Sequence, residues 1–432
     1  MVLLNIQINN ILAALPRSDG FSVETRTIYI SGGVIASVGE KPEGFLADRE
    51  ISGENRFAIP GLINSHTHAY MSLLRGCADD MPFNDWLFNR VLPLEEKLEG
   101  EDFYWGTMLA VCEMVRGGAT AYMDMYIAPE HSARAAHDSG MRAVLTRGLI
   151  GDSRGDEGGL RRLREAERDM DSFAGCDRLT FMLAPHAPYT CSPDYLGAVA
   201  ERAGELGIGI HTHIAESAAE IETIRERYHC TPVEMLEKAG LFDAHTAAAH
   251  CVFLTDSDID IFHDKNVSVL TNPVSNMKLG NGFAPVPKLL KKGVNVALGT
   301  DSAASNNNLN MLRELGYLTL VHKGQNRDAV SVSAAQGLGI ATKNGAKALA
   351  LENTGELKAG MKADLAILDL NSVTLNPRSD LISALAYAAC GSEVETVIAD
   401  GRILMENREL KTVDEGRVIF EANRIYERIK TK

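Results

Sequence analysis

The sequence predicts an α/β fold, a (β/α)8 TIM-like barrel with a second, small split β-sandwich domain. Three observations predict it. Eight short apolar runs between residues 57 and 301 alternate with amphipathic helical stretches, the signature of a parallel sheet with helical crossovers. Nearly every run ends in a residue capable of chemistry, as the C-terminal rim of a barrel requires. Strand-like segments return near the C-terminus, where they can pair with those of the first 56 residues.

In chain order, residues 1–56 hold short alternating segments, 27–31 and 34–39, broken by Gly32-Gly33. The apolar runs follow at 57–64, 119–126, 142–147, 179–186, 207–213, 246–250, 267–272 and 294–301. Helical patterns lie between them, for example 101–116 and a stretch opened by Ser192-Pro193 as N-cap and first helical residue. The segment 71–100 exceeds the ~2 to 6 residues usual for a βα loop and carries Phe83, Trp86 and Phe88, which reads as a lid over the barrel mouth. A helical region runs from 306 to about 351, strand character returns at 363–369 and 394–401, and 414–432 forms a terminal helix. The expected division is 1–56 for the first part of the β domain, 57–352 for the barrel, and 353–432 for the rest of the β domain with its helix.

With 432 residues, 45% of them hydrophobic, the chain can bury a large core. A net charge of -15 without long basic runs argues against nucleic acid as a partner. Seven cysteines without a CxxC pair do not form a disulfide framework, and a reducing cytoplasm is expected. The stretch from Met1 has no basic region before its apolar residues, and no segment reaches the ~18 to 20 apolar residues of a membrane span.

The first run ends in His66-Thr-His68, and alternation along a strand turns both imidazoles to one side, where they can grip a metal. A single such pair can equally be two polar residues closing a strand into a turn. His211-Thr-His213 ends the fifth run and Asp301 the eighth. Two histidines of strand one, one of strand five and a carboxylate of strand eight supply three nitrogens and an oxygen around one catalytic metal. His250, ending the sixth run, can hydrogen-bond a water or a substrate heteroatom, or it is a satisfied rim histidine. Glu216, three residues after His213, can reach back over the metal as a general base, or it is a solvated glutamate at a helix start. A divalent metal lowers the pKa of a bound water from ~15.7 towards ~7.

Segments 60–68, 211–216, His250-Cys251, 272–279 and Gly299-Thr-Asp301 resemble the amidohydrolase superfamily, and more closely its 5-methylthioadenosine/S-adenosylhomocysteine deaminases. The resemblance covers nearly the whole chain. It implies one divalent ion per subunit, Zn²⁺ with Fe²⁺ as the alternative, held by His66, His68, His213 and Asp301. Members with two metals bridge them with a carboxylated lysine at the end of strand four, but here that position is His186, and no lysine occurs between Lys97 and Lys238.

By the same resemblance, Glu216 shuttles a proton from water to purine N1, and His250 and Asp301 orient the hydroxide that attacks C6. Ammonia leaves and hypoxanthine replaces adenine. Trp86, Glu95, His186 and Ser305 match substrate contacts, with Glu95 on the ribose diol. Arg147 matches an arginine for an amino-acid tail, or forms an ion pair at the rim. A second arginine of the pattern has no match at the right spacing near Gly158 to Arg162. The implied substrates are 5′-methylthioadenosine, S-adenosylhomocysteine or 5′-deoxyadenosine-type nucleosides. Deamination or dechlorination of another ring, guanine or an s-triazine, is the alternative, and a relative without catalysis is a third reading. The expected partner is the small nucleoside, with no nucleic acid or membrane, in a homo-oligomer.

Overall fold

The computed structural model describes residues 4–128 and 130–431. Met1 to Leu3, which open the N-terminal stretch read above, and Lys432, which ends the expected terminal helix, lie outside them, as does Pro129. The apolar runs become the barrel strands Leu62–Thr67, Ala119–Tyr126, Arg142–Leu149, a fourth strand in two pieces (Leu179–Phe181 and Ala184–Pro185), Ile210–Ile214, Thr246–His250, Ser268–Thr271 and Val296–Leu298. Most are buried along their whole length, which parallel strands covered on both faces require.

All paired neighbours in the wall run parallel, in one sheet of strands one to four and another of strands five to eight. A parallel bridge between Leu183 and Ile210 joins the sheets on one side. On the other side the closing seam is made by single contacts. The Asp301 N–H donates to the His66 carbonyl at 2.9 Å. The Asn64 side chain donates to Thr300 Oγ1 at 2.7 Å and accepts from the Thr300 N–H at 3.0 Å.

Gly299 allows this approach, because a Cβ there would lie 2.5 Å from the Asn272 side-chain amide and 2.8 Å from His66 Cβ. Overpacking a site this tight costs about 1–3 kcal/mol. Gly299→Ala is therefore expected to lower the denaturant midpoint, and an unchanged midpoint would show that the seam has slack.

Inside the barrel, Ala121, Ala247, Ala249 and Ala297 pack with Met123, Met182 and Leu270. Leu349 and Leu351, just past the helix Lys343–Ala348, join that cluster. His245 Nε2, before strand six, is 2.8 Å from the Ala348 carbonyl, so this plug lies at the N-terminal end. Only the C-terminal mouth is left for a site. The helices Glu101–Arg116 and Pro193–Leu206 lie where the periodicity puts them, the second capped by Ser192, whose side chain accepts from the Tyr195 N–H.

The chain's two ends build one nine-stranded sheet. Its order is Glu409–Leu410, Arg402–Glu406, Val394–Ala399, Leu365–Asp369, Arg56–Pro60, Ile6–Arg17, Gly20–Ser31 and Val34–Val38, with Arg49–Ser52 also pairing Ile6–Arg17. Ile6, Ile8, Ile11, Ala13, Ile28, Ile30, Leu365, Ile367 and Ile398 share its core. The register shifts between Ile8 and Ile11, where Asn10 has φ +48°, and this bulge keeps isoleucines three positions apart on one face.

The apolar run 57–64, read as one barrel strand, is two strands in different sheets. Arg56–Pro60 pairs antiparallel with Leu365–Asp369, and the barrel begins at Leu62. Gly61 makes the crossing, with space for a Cβ taken by the Thr120 side chain.

The segment after strand one is a 3₁₀ turn, Ala69–Leu74, followed by a short helix, Phe83–Trp86, a π-helical turn, Leu87–Val91, and a last helical turn, Leu92–Glu95. Trp86 Nε1 donates to the Ala304 carbonyl at 3.3 Å, and Lys278 Nζ donates to Asp79 Oδ1 at 2.6 Å. The segment is thus tied to the chain following strands seven and eight. Among the described residues, no helix is long and apolar enough to cross a membrane.

Candidate active site

The strand ends bring His66, His68, His213, His250 and Asp301 together at the mouth. Ring centroids of His66 and His213 are 5.0 Å apart, those of His68 and His213 5.4 Å, and those of His66 and His250 5.4 Å. The chain turns sharply beyond the strands through left-handed residues, including His250 at φ +68° and Asp301 at φ +61°. Strained or sparsely populated backbone of this kind gathers at functional sites.

His66, His68 and His213 each offer a ligand atom within 4.8 Å of the others, as do His66, His250 and Asp301. Asp301 Oδ1 stands 3.6 Å from both His66 Nε2 and His68 Nε2. His68 Nδ1 is 2.9 Å from the Met125 carbonyl, and His213 Nδ1 is 2.7 Å from the His186 carbonyl. A carbonyl only accepts, so each Nδ1 carries the proton and each neutral ring keeps a lone pair on Nε2. His66 Nε2 is buried without a hydrogen-bond partner. Three imidazole nitrogens, one of them orphaned, beside an ionised carboxylate form a donor set that fits a divalent cation.

Burial lowers the His66 pKa to about 4, and burial lowers those of His68 and His213 as well. For Asp301, burial opposes ionisation. The neighbouring His66, His250 and His68 rings outweigh it and hold the carboxyl well below its usual range. Asp301 Oδ2 accepts from Ser275 Oγ at 2.6 Å and Ser305 Oγ at 2.7 Å, and Oδ1 accepts from the Ser302 N–H at 2.7 Å.

Glu216 Oε2 faces His250 Nε2 at 3.8 Å, and Glu216 Oε1 accepts from Asn281 Nδ2 at 3.3 Å. Burial and the Asp301 charge raise the Glu216 pKa, against the opposing pull of His250. For His250, burial disfavours the cation, but Glu216, Asp301 and the Asn276 contact outweigh it and raise its pKa. The loop bearing Glu216 is held by Glu220, whose carboxylate accepts the N–H groups of Ala215 and Glu216 at 2.8 and 2.9 Å. Glu216 is buried and does not sit solvated at a helix start, since Ser217 caps the helix Ala218–Tyr228.

The residues expected at the substrate fall into two groups. His186 lies beside His213, with ring centroids 4.9 Å apart and Nδ1 3.0 Å from Thr190 Oγ1, and burial lowers its pKa to about 4. Glu95 accepts from the Tyr70 hydroxyl at 2.6 Å, and burial raises its pKa. Trp86 is buried at the lid's attachment to Ala304.

Two others point elsewhere. Ser305 is fully buried, with its hydroxyl on Asp301 and not open to the mouth. Arg147 Nε and Nη2 both donate to Glu165 Oε2, at 3.1 and 3.0 Å, so the structure shows the ion pair at the rim, with the guanidinium committed to a carboxylate eighteen residues on.

Sequence reasoning assigned no role to Tyr70, Glu220, Ser275 or Asn276. For Ser275 and Asn276 a signal existed in their place within 272–279, directly after strand seven. Tyr70 and Glu220 act across loops and left none.

Residues 57–404 match the amidohydrolase family, and the chain belongs to it. Fold and site together define a hydrolase of C–N bonds that works with a divalent metal. Among the curated relatives it matches along most of its length are 5-methylthioadenosine/S-adenosylhomocysteine deaminases. That of Caldanaerobacter subterraneus subsp. tengcongensis is 45% identical over 98% of both chains, and that of Syntrophomonas wolfei is 48% identical over 89% of both. A zinc-bound adenosine deaminase of Xanthomonas campestris superposes with TM-score 0.94 at 32% identity, covering 99% of each chain. A triazine hydrolase variant shares the fold, with TM-score 0.90 at 24% identity over 98% of this chain and 99% of the other.

Proposed function

We propose that this chain hydrolytically deaminates the adenine ring of 5′-methylthioadenosine, S-adenosylhomocysteine or 5′-deoxyadenosine-type nucleosides, releasing ammonia and leaving hypoxanthine. One observation carries the reading. Glu216, buried and with a raised proton affinity, faces His250 beside three neutral histidines and an ionised Asp301. A base poised to hold a proton next to a hydrogen-bonding imidazole is what hydrolysis of an amidine carbon needs.

His66, His68, His213 and Asp301 are the residues that would hold the metal. Imidazole nitrogen with one carboxylate oxygen suits Zn²⁺, with Fe²⁺ as the alternative. When bound, the ion supplies Lewis acidity that brings the pKa of water from ~15.7 to ~7. The expectation of a single ion rests on His186 standing where a bridging lysine is otherwise found.

In the proposed reaction Glu216 accepts a proton from the attacking water and delivers it to purine N1. His250, held by Asn276 Oδ1 at 2.9 Å from its Nδ1, presents Nε2 to the incoming oxygen at C6. Asp301, fixed by Ser275 and Ser305, accepts the second proton, which leaves with ammonia. Ser305 therefore acts through Asp301, and Arg147 acts as support for the rim through Glu165. The lid contributes Glu95 to the ribose hydroxyls and Trp86 to the wall above the ring.

Removing two charge-assisted hydrogen bonds, each worth about 1.5–3 kcal/mol, makes Glu95→Ala expected to lower kcat/KM for nucleosides by about 10²-fold or more while sparing free adenine. Equal losses on both would remove the ribose role.

The overall test is metal analysis followed by an ammonia-release screen over adenosine, its 5′ derivatives, guanine and s-triazines. Failure on every nucleoside would transfer the site to another ring.

A further inference from the structure

His68 and His213 lean directly on backbone carbonyls, but His66 does not. Its Nδ1 meets the Nε2 of His211 at 3.0 Å. His211 is fully buried on strand five, and its own Nδ1 lies 2.9 Å from the Ala247 carbonyl on strand six. The carbonyl can only accept, so the His211 proton sits on Nδ1 and, in a neutral ring, Nε2 is an acceptor. A neutral ring is what this position favours, with His66 packed against it at a ring-centroid distance of 5.0 Å and no carboxylate among its hydrogen-bond partners. The proton between the two rings then belongs to His66 Nδ1, which leaves the lone pair of His66 on the orphaned Nε2 that faces Asp301.

We infer that His211 is a positioning residue: the relay from the Ala247 carbonyl through His211 to His66 fixes the tautomer and ring orientation of His66, and so sets how tightly the site holds its metal. Alternation on strand five brings His211 and His213 into the same barrel, but only His213 turns its Nε2 to the mouth. His211 supplies the acceptor that a carbonyl supplies elsewhere. Partners in this position change metal affinity by ~10- to 100-fold when removed. The inference rests on the metal-site reading and not on the identity of the substrate.

Two substitutions and one spectrum test it. His211→Phe fills the space but removes the acceptor, so His66 loses its directing partner. Zn²⁺ affinity, measured by competition with a chromophoric chelator, is expected to fall ~10- to 100-fold. His211→Gln keeps two polar atoms spaced like the ring nitrogens, an amide N–H for Ala247 and an oxygen for His66, and is expected to recover most of that loss. Thermal melts of the metal-free proteins compare the folds.

In the metal-free wild type, nitrogen-15 NMR should show the His66 proton on Nδ1. Wild-type affinity in the Phe variant, equal weakness in the Gln variant, or an Nε2 proton on His66 would each overturn the relay. If the wild type takes up no metal, the metal-site reading fails instead, and the His66 spectrum still decides the relay.

Discussion

Glu216→Gln is expected to retain its metal and lose turnover by about 10²- to 10⁴-fold, the usual contribution of a positioned general base. The substitution is nearly isosteric, and the amide can still meet Asn281. Glu220 continues to hold the backbone through the two N–H groups it accepts. What is lost is the capacity to take a proton.

The same residue is expected to set the acid limb of the pH profile. Glu216 must be ionised to act as base, and burial together with Asp301 raises its pKa above the ordinary value of 4.5. kcat/KM should therefore fall as pH drops through a value higher than that of an exposed glutamate, and this limb should vanish in the Gln variant. Deamination by Glu216→Gln at the wild-type rate would rule out the assignment of the base.

The second large effect is that of the metal. Protein stripped with a chelator is expected to show no measurable deamination and to regain full activity with one equivalent of Zn²⁺ per chain. Three histidines that burial keeps neutral stand beside a carboxylate held ionised, a donor set that fits one divalent ion. Because the ion binds the folded site, it should also raise the melting temperature, by an amount equivalent to about 4.1 kcal/mol at a thousand-fold excess over Kd. Undiminished activity after verified removal would exclude a metal-dependent reaction.

Much of this site could be read from local pattern. His66 and His68, His213, His250 and Asp301 stand at the ends of apolar runs, and the barrel rule converts that linear position into a common place in space. Two features resisted. The run 57–64 is apolar throughout, so nothing in its periodicity marks where one sheet ends and the next begins. Only Pro60-Gly61 hints at the switch, and the reason appears in the pairing of Arg56–Pro60 with a strand some three hundred residues later.

The other is partnership between charged and polar side chains. Arg147 is a strand-end arginine like any substrate ligand until Glu165 is seen beside it, and Ser305 is a rim serine until its hydroxyl is found on Asp301. Such contacts depend on side-chain directions that spacing does not encode. The contact between Tyr70 and Glu95 was equally hidden, because it requires the lid to fold back on the first strand.

The closing seam of the barrel carries a further consequence. The wall is laced by ladders within each of its two sheets and bridged between strands four and five at Leu183 and Ile210, but between strands eight and one it depends on Asp301, His66, Asn64 and Thr300, with the last two 236 positions apart in sequence. Two of those residues are proposed ligands of the same ion. An ion shared by His66 and Asp301 is therefore a cross-link that closes a very long loop, the situation in which restricting the unfolded chain stabilises most. With the proposed ion in place the catalytic centre would also fasten the fold, and a chain that loses its metal should begin to open where its chemistry takes place.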